Sequence, residues 1–569
     1  MKCRVLGSRS WERKKKRKVF PSTQNLGPRT CDDNKRIVSR GESMLLTIKG
    51  GKIVDGTGNP YFYGDIGVKN RKITAIGNIK PTGKVINAKG LTVCPGIIDA
   101  HSHSDWTLLQ NRPAESALRQ GVTTEVVGNC GFSSAPLTSK NAAFIDANLK
   151  SYAPNVNVNW KSFREYIERL NKPGMGINVV TLVGHGTLRR AVLGKEDRKA
   201  TDREIKQMGE LLAVSLDQGA AGFSTGLEFM PGRLADKREL SGLIKVVAEK
   251  NKIHTCHIRN RDRKFKEAVD EILDITAKTG CKLSFSHLSA KPGSKRDDWK
   301  KIMDKIDIMR SKGLNITTDM IVYRAGPGLL CNILPGWLFE GGTGEAVKRL
   351  KDPVTRRKLK GQCNRYWLMV EKKQWDRLSL SGCVSHPELL GKTFKQISDK
   401  MGKPVLDCVF DILADEGEGM PSAMMNGILF TEKHVREMIS HPLYCLASDA
   451  NVSEENGLTS KFANHPSIFG WVPRVLDYYV KQVKLFSLEE AISKMTSFPA
   501  QVYELKGRGL IKEGFIADLA IFDEKKIKEE VNFAKPRKYS GSMEYVVMGG
   551  EVVLERAKLK NKLCGKVLQ

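Results

Sequence analysis

Apolar and polar positions change rhythm twice along the chain. Residues 1–43 show no period. Residues 45–49 and 52–55 alternate around Gly50-Gly51, which predicts a hairpin with a two-glycine turn. A second hairpin is predicted for 65–69 and 72–76 around Asn70-Arg71. The far end mirrors this, with a strand at 517–522 and a hairpin at 544–548 and 551–554 around Gly549-Gly550. Short β segments at both ends predict one small β-sandwich domain, assembled from residues 44–95 and 505–558.

Between these ends, strand and helix periods alternate. Strands are expected at 91–103, 123–129, 178–185, 222–224, 253–258, 282–287, 315–320 and 443–449. Helical periods intervene at 163–170, 202–218, 238–249 and 265–279. Strand–helix alternation implies a parallel sheet with right-handed crossovers. Eight units suit a (β/α)8 TIM barrel, here an α/β domain over 96–504. The stretch from Tyr323 to Leu443 is too long for one loop and helix, so an insertion is expected at about residues 330–420, near the barrel mouth.

Charge changes this picture only at one end. The net charge is +31 over 569 residues. Residues 1–43 hold 13 Lys/Arg against 4 Asp/Glu, including the run Arg13-Lys14-Lys15-Lys16-Arg17-Lys18. A nuclear-localisation or nucleic-acid segment would look like this. Met44 directly precedes a good strand, which favours a disordered leader, or translation begun upstream of the true start. The rest of the chain carries no nucleic-acid-binding signature, and its positive charge is expected to be mainly a solvated surface that also favours anionic substrates. No apolar run reaches a membrane span and no signal peptide opens the chain. The 12 Cys are scattered with no CxxC pair. That is no disulfide framework, so a cytoplasmic, reducing setting is expected.

The chemistry concentrates at strand ends. Pro95-Gly96-Ile97-Ile98-Asp99-Ala100-His101-Ser102-His103 reads as a buried strand closing on His-x-His. Side chains two apart on a strand share a face, so His101 and His103 can grip one cation. Cys130 ends the second strand, His257 the fifth, His287 the sixth and Asp449 the eighth. Each alone has an ordinary reading, as a small core residue, a hydrogen-bonded core histidine or a helix cap. Together they sit where barrel active sites are built. Imidazole, thiolate and carboxylate suit zinc better than magnesium or calcium. His185 ends the third strand and could orient a ligand or touch substrate. His254 is expected to be a supporting or core residue, and His386, His434 and His441 structural.

With these residues in place, residues 45–555 resemble the amidohydrolase superfamily, and within it the N-acyl-D-amino-acid deacylase (D-aminoacylase) family. The resemblance runs through Gly50-Gly51-Lys52-Ile53-Val54-Asp55-Gly56-Thr57-Gly58, the His101/His103 strand and Gly121-Val122-Thr123-Thr124 leading to Cys130. It continues through Gly222-Phe223-Ser224-Thr225-Gly226-Leu227, His257-Ile258-Arg259, Ser286-His287-Leu288, Ser448-Asp449 and Gly514-Phe515-Ile516-Ala517-Asp518-Leu519. It implies one tightly bound zinc on Cys130, His257 and His287, bordered by His101, His103 and Asp449, which could hold a second, weaker ion. It implies hydrolysis of a linear, non-peptide amide by a metal-activated water, with Asp449 as general base. The substrate would be an N-acyl-D-amino acid, released as a D-amino acid and a carboxylate.

The chain departs from the family where the substrate carboxylate is held. A lysine expected two residues after the sixth-strand histidine is Ser289. The expected His-Pro-Arg is His465-Pro466-Ser467. Tyr323 survives from a Tyr-Pro-Tyr stretch, and Arg324 or Lys291 could supply a replacement cation. Tyr323, Ser289, Arg324 and His465 are therefore the substrate-binding candidates. Two other readings compete. Cyclic-amide hydrolases of the hydantoinase and dihydroorotase type use a bridging carboxylated lysine, for which residues 226–228 offer no lysine. A non-catalytic scaffold on the same barrel would have lost ligands that this chain keeps. The expected partner is a small-molecule amide, with no membrane and no nucleic acid.

Overall fold

A computed structural model describes residues 46–295, 297–363 and 368–569. The basic leader expected at 1–43, Met44 and the first residue of the first predicted strand lie outside the described residues.

All eight expected barrel strands form, in chain order: Ile97–Asp99, Val122–Val127, Asn178–Gly184, Gly222–Gly226, Ile253–His257, Lys282–Phe285, Ile316–Ile321 and Tyr444–Ala447. Each pairs in parallel with the next in sequence. Their residues are almost wholly buried, as a parallel sheet covered by helices requires. The first and last strands meet only at the mouth. There Ser102 bridges Ala450, the Asp449 amide donates to the His101 carbonyl at 3.0 Å and the His103 amide donates to the Ala450 carbonyl at 2.8 Å.

The helices follow their periods closely. Asp202–Asp217 starts with a Thr201/Glu204 capping box, and Phe265–Thr279 ends on Gly280 at φ 67°, a left-handed cap. His185 lies not at the end of a strand but at the start of the helix His185–Leu193.

The β segments from the two chain ends join into one nine-stranded sheet. The strand Lys72–Gly77 hydrogen-bonds the segment before Leu519–Phe522, so the sheet curls around its own apolar cluster of Ile48, Ile66, Ile73, Leu519 and Val547. The hairpins around 70–71 and 549–550 form, with positive φ at both turn residues: Asn70 50°, Arg71 69°, Gly549 53°, Gly550 83°.

Two expectations need correction. The hairpin predicted for 45–55 is one bulged strand, Leu46–Ile53, whose register shifts between Ile48 and Gly51 against the strand Phe62–Lys69. Gly50 has φ 69° while Gly51 stays out of the left-handed region, and Gly51 packs so close to Val93 that an added Cβ would come within 2.6 Å. Gly50 at left-handed φ marks the bulge, and the chain continues in the same direction beyond it. The strand predicted for 91–103 is two strands. Thr92–Pro95 belongs to the terminal sheet and Ile97–Asp99 to the barrel. The break falls at Gly96, where a Cβ would lie 2.2 Å from Thr123 Oγ1.

Between the seventh and eighth barrel strands the chain builds a three-stranded antiparallel sheet from Ala325–Leu329, Leu378–Gly382 and Met424–Ile428. Helices Thr343–Lys351, Pro353–Lys360, Phe394–Met401 and Val405–Glu416 accompany it. Pro327, Leu329, Ser381 and Met424 from this insertion line the main cavity, so it walls the barrel mouth. Among the described residues, no helix is long and apolar enough to cross a membrane, and the described cysteines are free.

Candidate metal centre

The turn Gly128-Asn129-Cys130-Gly131 places the thiol. Gly226, on the fourth strand, packs so closely that a Cβ there would sit 1.8 Å from the Cys130 carbonyl, and one on Gly131 would sit 2.7 Å from the Gly226 amide. Only glycine allows this approach. It turns Cys130 into the barrel axis at φ 54°. His287 and Asp449 also take left-handed backbone, at φ 36° and 49°. Non-glycine residues rarely hold such angles unless the surrounding structure enforces them, and they cluster at functional sites.

The result is a convergence of donors. Cys130 Sγ lies 3.4 Å from His101 Nε2, 3.5 Å from His257 Nδ1 and 3.4 Å from His287 Nε2. Asp449 Oδ1 lies 3.5 Å from His101 Nε2 and 3.4 Å from His103 Nε2. Two donor sets result, Cys130/His101/His287 and His101/His103/Asp449, with His101 common to both and His257 at Cys130. Tetrahedral zinc with Zn–S of about 2.3 Å and Zn–N of about 2.0–2.1 Å separates its donors by roughly 3.5 Å. The donor set and its spacing fit that ion.

Buried carboxylates aim the imidazoles. His101 Nδ1 donates to Asp319 Oδ2 at 3.2 Å, while Asp319 Oδ1 accepts the His287 amide at 2.7 Å. His257 Nε2 donates to Glu228 Oε2 at 2.7 Å, leaving Nδ1 for the centre. Such partners fix the tautomer and raise ligand basicity. Glu228 also takes Arg261 Nη2 at 3.2 Å and Lys291 Nζ at 3.2 Å. Against the effect of burial, Lys291, Arg261 and the His257 hydrogen bond hold the Glu228 carboxyl well below the usual range. Burial, and then the Arg261 charge, push the Lys291 ammonium down to about 7. Burial opposes ionisation of Cys130, but the facing His101 holds its thiol well below the ordinary value, so the thiolate is favoured. Asp449 is likewise held low, burial being outweighed by the His103 hydrogen bond and the surrounding imidazoles.

A cavity of about 550 Å³ opens onto this cluster. His103, Cys130, His257, His287 and Asp449 line it, and Trp106, Phe132, Phe144 and Phe229 form aromatic walls. Of the four residues expected to touch substrate, His465 lines the cavity. Its Nε2 donates to the Ala325 carbonyl at 3.1 Å, and burial pushes its pKa down to about 4, so it is neutral. The other three are placed elsewhere. Ser289 is buried and donates to the His287 carbonyl at 3.0 Å. Tyr323 packs edge-on against His465, with the Arg474 guanidinium 4.7 Å from its ring centre. Arg324 is exposed. His254, against Thr225 and Phe223, and His185, on Glu239, also point away from the donors.

Sequence reasoning missed Glu228, Asp319 and Arg261. A carboxylate inside the apolar run Ile316-Thr317-Thr318-Asp319-Met320-Ile321 was a usable signal. Arg261 left none, because nothing in the sequence says that a loop residue four places after His257 turns back into the cavity.

The amidohydrolase family matches residues 84–321 and 388–554. The chain belongs to this family. An N-acyl-D-aspartate deacylase of Alcaligenes xylosoxydans xylosoxydans is 30% identical over 526 residues, spanning 92% of this chain and 94% of the relative. An N-acyl-D-glutamate deacylase of the same organism is 29% identical over 518 residues, spanning 91% and 95%. Among solved structures, an N-acyl-D-glutamate deacylase from Bordetella bronchiseptica, complexed with zinc and a phosphonate mimic of the reaction's tetrahedral intermediate, matches with a TM-score of 0.76. It is 28% identical, covering 93% of this chain and 100% of that one. This amidohydrolase is a metal-dependent enzyme acting on carbon–nitrogen bonds other than peptide bonds, in the N-acyl-D-amino-acid deacylase branch.

Proposed function

We propose that the enzyme deacylates an N-acyl-D-amino acid with zinc held at the barrel mouth. The observation that carries this reading is the approach of three imidazole nitrogens to within 3.4–3.5 Å of one thiolate, with the Asp449 carboxylate beside them. Cys130, His257 and His287 hold the tight ion. His101, His103 and Asp449 form its working edge and can take a second, weaker one. The D configuration follows from the relatives' substrates.

Zinc held by Cys130, His257 and His287 would supply the Lewis acidity that activates a water and polarises the amide carbonyl. Asp449, kept ionised, takes the proton of the attacking water and returns it to the leaving nitrogen. His103, half-buried on the cavity wall, keeps its Nε2 3.4 Å from Asp449 Oδ1, so the two can share an ion. The aromatic walls exclude bulk water, which strengthens every charge interaction inside. Free cysteines and a thiolate in the site suit a reducing compartment such as the cytoplasm.

The cyclic-amide alternative lacks support at the fourth strand. Its end carries Glu228, which binds the outer nitrogen of His257, and Lys291 is engaged with Glu228. The test is metal analysis of the purified protein joined to a screen of N-acyl-D- and N-acyl-L-amino acids alongside hydantoins. Zinc in the protein and turnover of the D series are expected. Absence of zinc, or turnover of hydantoins alone, overturns the reading.

A further inference from the structure

We propose that Arg261 is the residue that receives the substrate's carboxylate, an assignment that rests on the deacylase reading above. The positions where the resemblance places basic residues for this task hold Ser289, turned back onto the His287 carbonyl, and Ser467, bonded to His465. A free carboxylate brought beside the centre still needs a cation, since an unpaired charge in such a cavity is costly.

Arg261 is 5% exposed and lines the cavity together with His257, His287 and Asp449. The other cations on the same wall are placed differently. Lys140 and Lys195 are exposed residues of the rim, and Arg190 is tied to Asp197 at 3.0 Å. Among the described residues, Arg261 is the buried cation of the cavity lining. Glu228 is shared by Arg261, Lys291 and His257, and the Arg261 Nε has no hydrogen-bond partner. The planar guanidinium is also suited to a bidentate carboxylate.

The Nη1 contact is the one Arg261 can release. Nη1 donates to His287 Nδ1 at 2.9 Å. An imidazole that binds a cation through Nε2 carries its proton on Nδ1, where a donor-only guanidinium has no acceptor left. With a cation on His287 Nε2, this arm of Arg261 would be open to a ligand, while Nη2 is held by Glu228.

The experiment uses the zinc-loaded enzyme and two substrates, the best N-acetyl-D-amino acid of the screen and its carboxamide. The wild type is expected to favour the carboxylate. Arg261→Gln is expected to lose roughly 10- to 100-fold in kcat/KM on the carboxylate, the worth of a charged hydrogen bond, chiefly through KM. The carboxamide should change less than about threefold, zinc content should hold, and Arg261→Lys should recover part of the loss. Equal losses on both substrates, an unchanged KM for the carboxylate, or loss of zinc in both variants would overturn the assignment in favour of a structural role at His287. If the wild type turns over neither substrate, the deacylase reading fails and takes the assignment with it. Turnover without any shift in discrimination removes the assignment alone.

Discussion

The curled sheet at the chain ends and the mouth of the barrel are built from the same short strands, yet they bury opposite things. The sheet encloses Ile48, Ile66, Ile73, Leu519 and Val547. Left-handed backbone is confined there to turns and bulges such as Asn70-Arg71 and Gly549-Gly550. The mouth encloses His101, Asp319, Cys130, His257, Glu228 and His287, all buried, and holds three of its donor residues at strained φ. The first arrangement gains stability from apolar burial. The second gives some of it up, because buried polar groups and strained backbone cost free energy that only the function recovers. A substitution should therefore act on stability in one region and on chemistry in the other.

The largest expected effect is at the mouth. Cys130→Ala removes the common neighbour of three imidazoles, so zinc content and activity should both be lost, while the unfolding transition moves little once compared with metal-stripped wild type. A variant that keeps its zinc and turnover would erase the distinction. Asp449→Asn should retain the tight ion and lower kcat by roughly 10²- to 10⁴-fold, the range for a lost general base. Titration of metal and initial rates on one sample separates these outcomes.

The converse belongs to the sheet. Ile66 is fully buried in its cluster. Ile66→Ala should cost about 2–5 kcal/mol of stability and leave kcat/KM unchanged below the transition, read by denaturant unfolding beside initial rates. A matching fall in kcat/KM would mean that the sheet supports the site.

The most gradual effect concerns the barrel wall below the mouth. His254 is fully buried, and burial, with a smaller contribution from the His185 charge, lowers its pKa from 6.5 to about 3. The folded state disfavours the protonated ring, so this contribution is intact above about pH 6.5 and is lost as the pH falls toward 3. Stability should decline over that window by at most about 1.4 kcal/mol per pH unit from this group. His254→Gln should flatten the acid limb, and an unchanged limb would assign it to other groups.

Much of this was legible in the chain. The eight strands could be placed because a buried parallel strand must be an apolar run and an outer helix must repeat near 3.6 residues. The six candidate donors were legible because each ends such a run. The terminal sheet was legible in outline. Its boundary with the barrel was not, since Thr92–Pro95 and Ile97–Asp99 are one apolar stretch, and only the contact of Gly96 with Thr123 shows where the chain changes layer.

Period and residue type alone pointed to the fold class and to the strand ends where the candidate donors sit, because these depend on neighbours along one element. What stands behind each donor depended on tertiary structure. Glu228 behind His257, Asp319 behind His101 and Arg261 beside His287 lie 29, 218 and 26 positions apart in sequence. Glu228 and Arg261 meet their histidines through the pairing of neighbouring strands, and Asp319 meets His101 only across the barrel. A hydrogen bond is then set by the angle at which two strands present their ends, and no local pattern of apolar and polar residues encodes that angle.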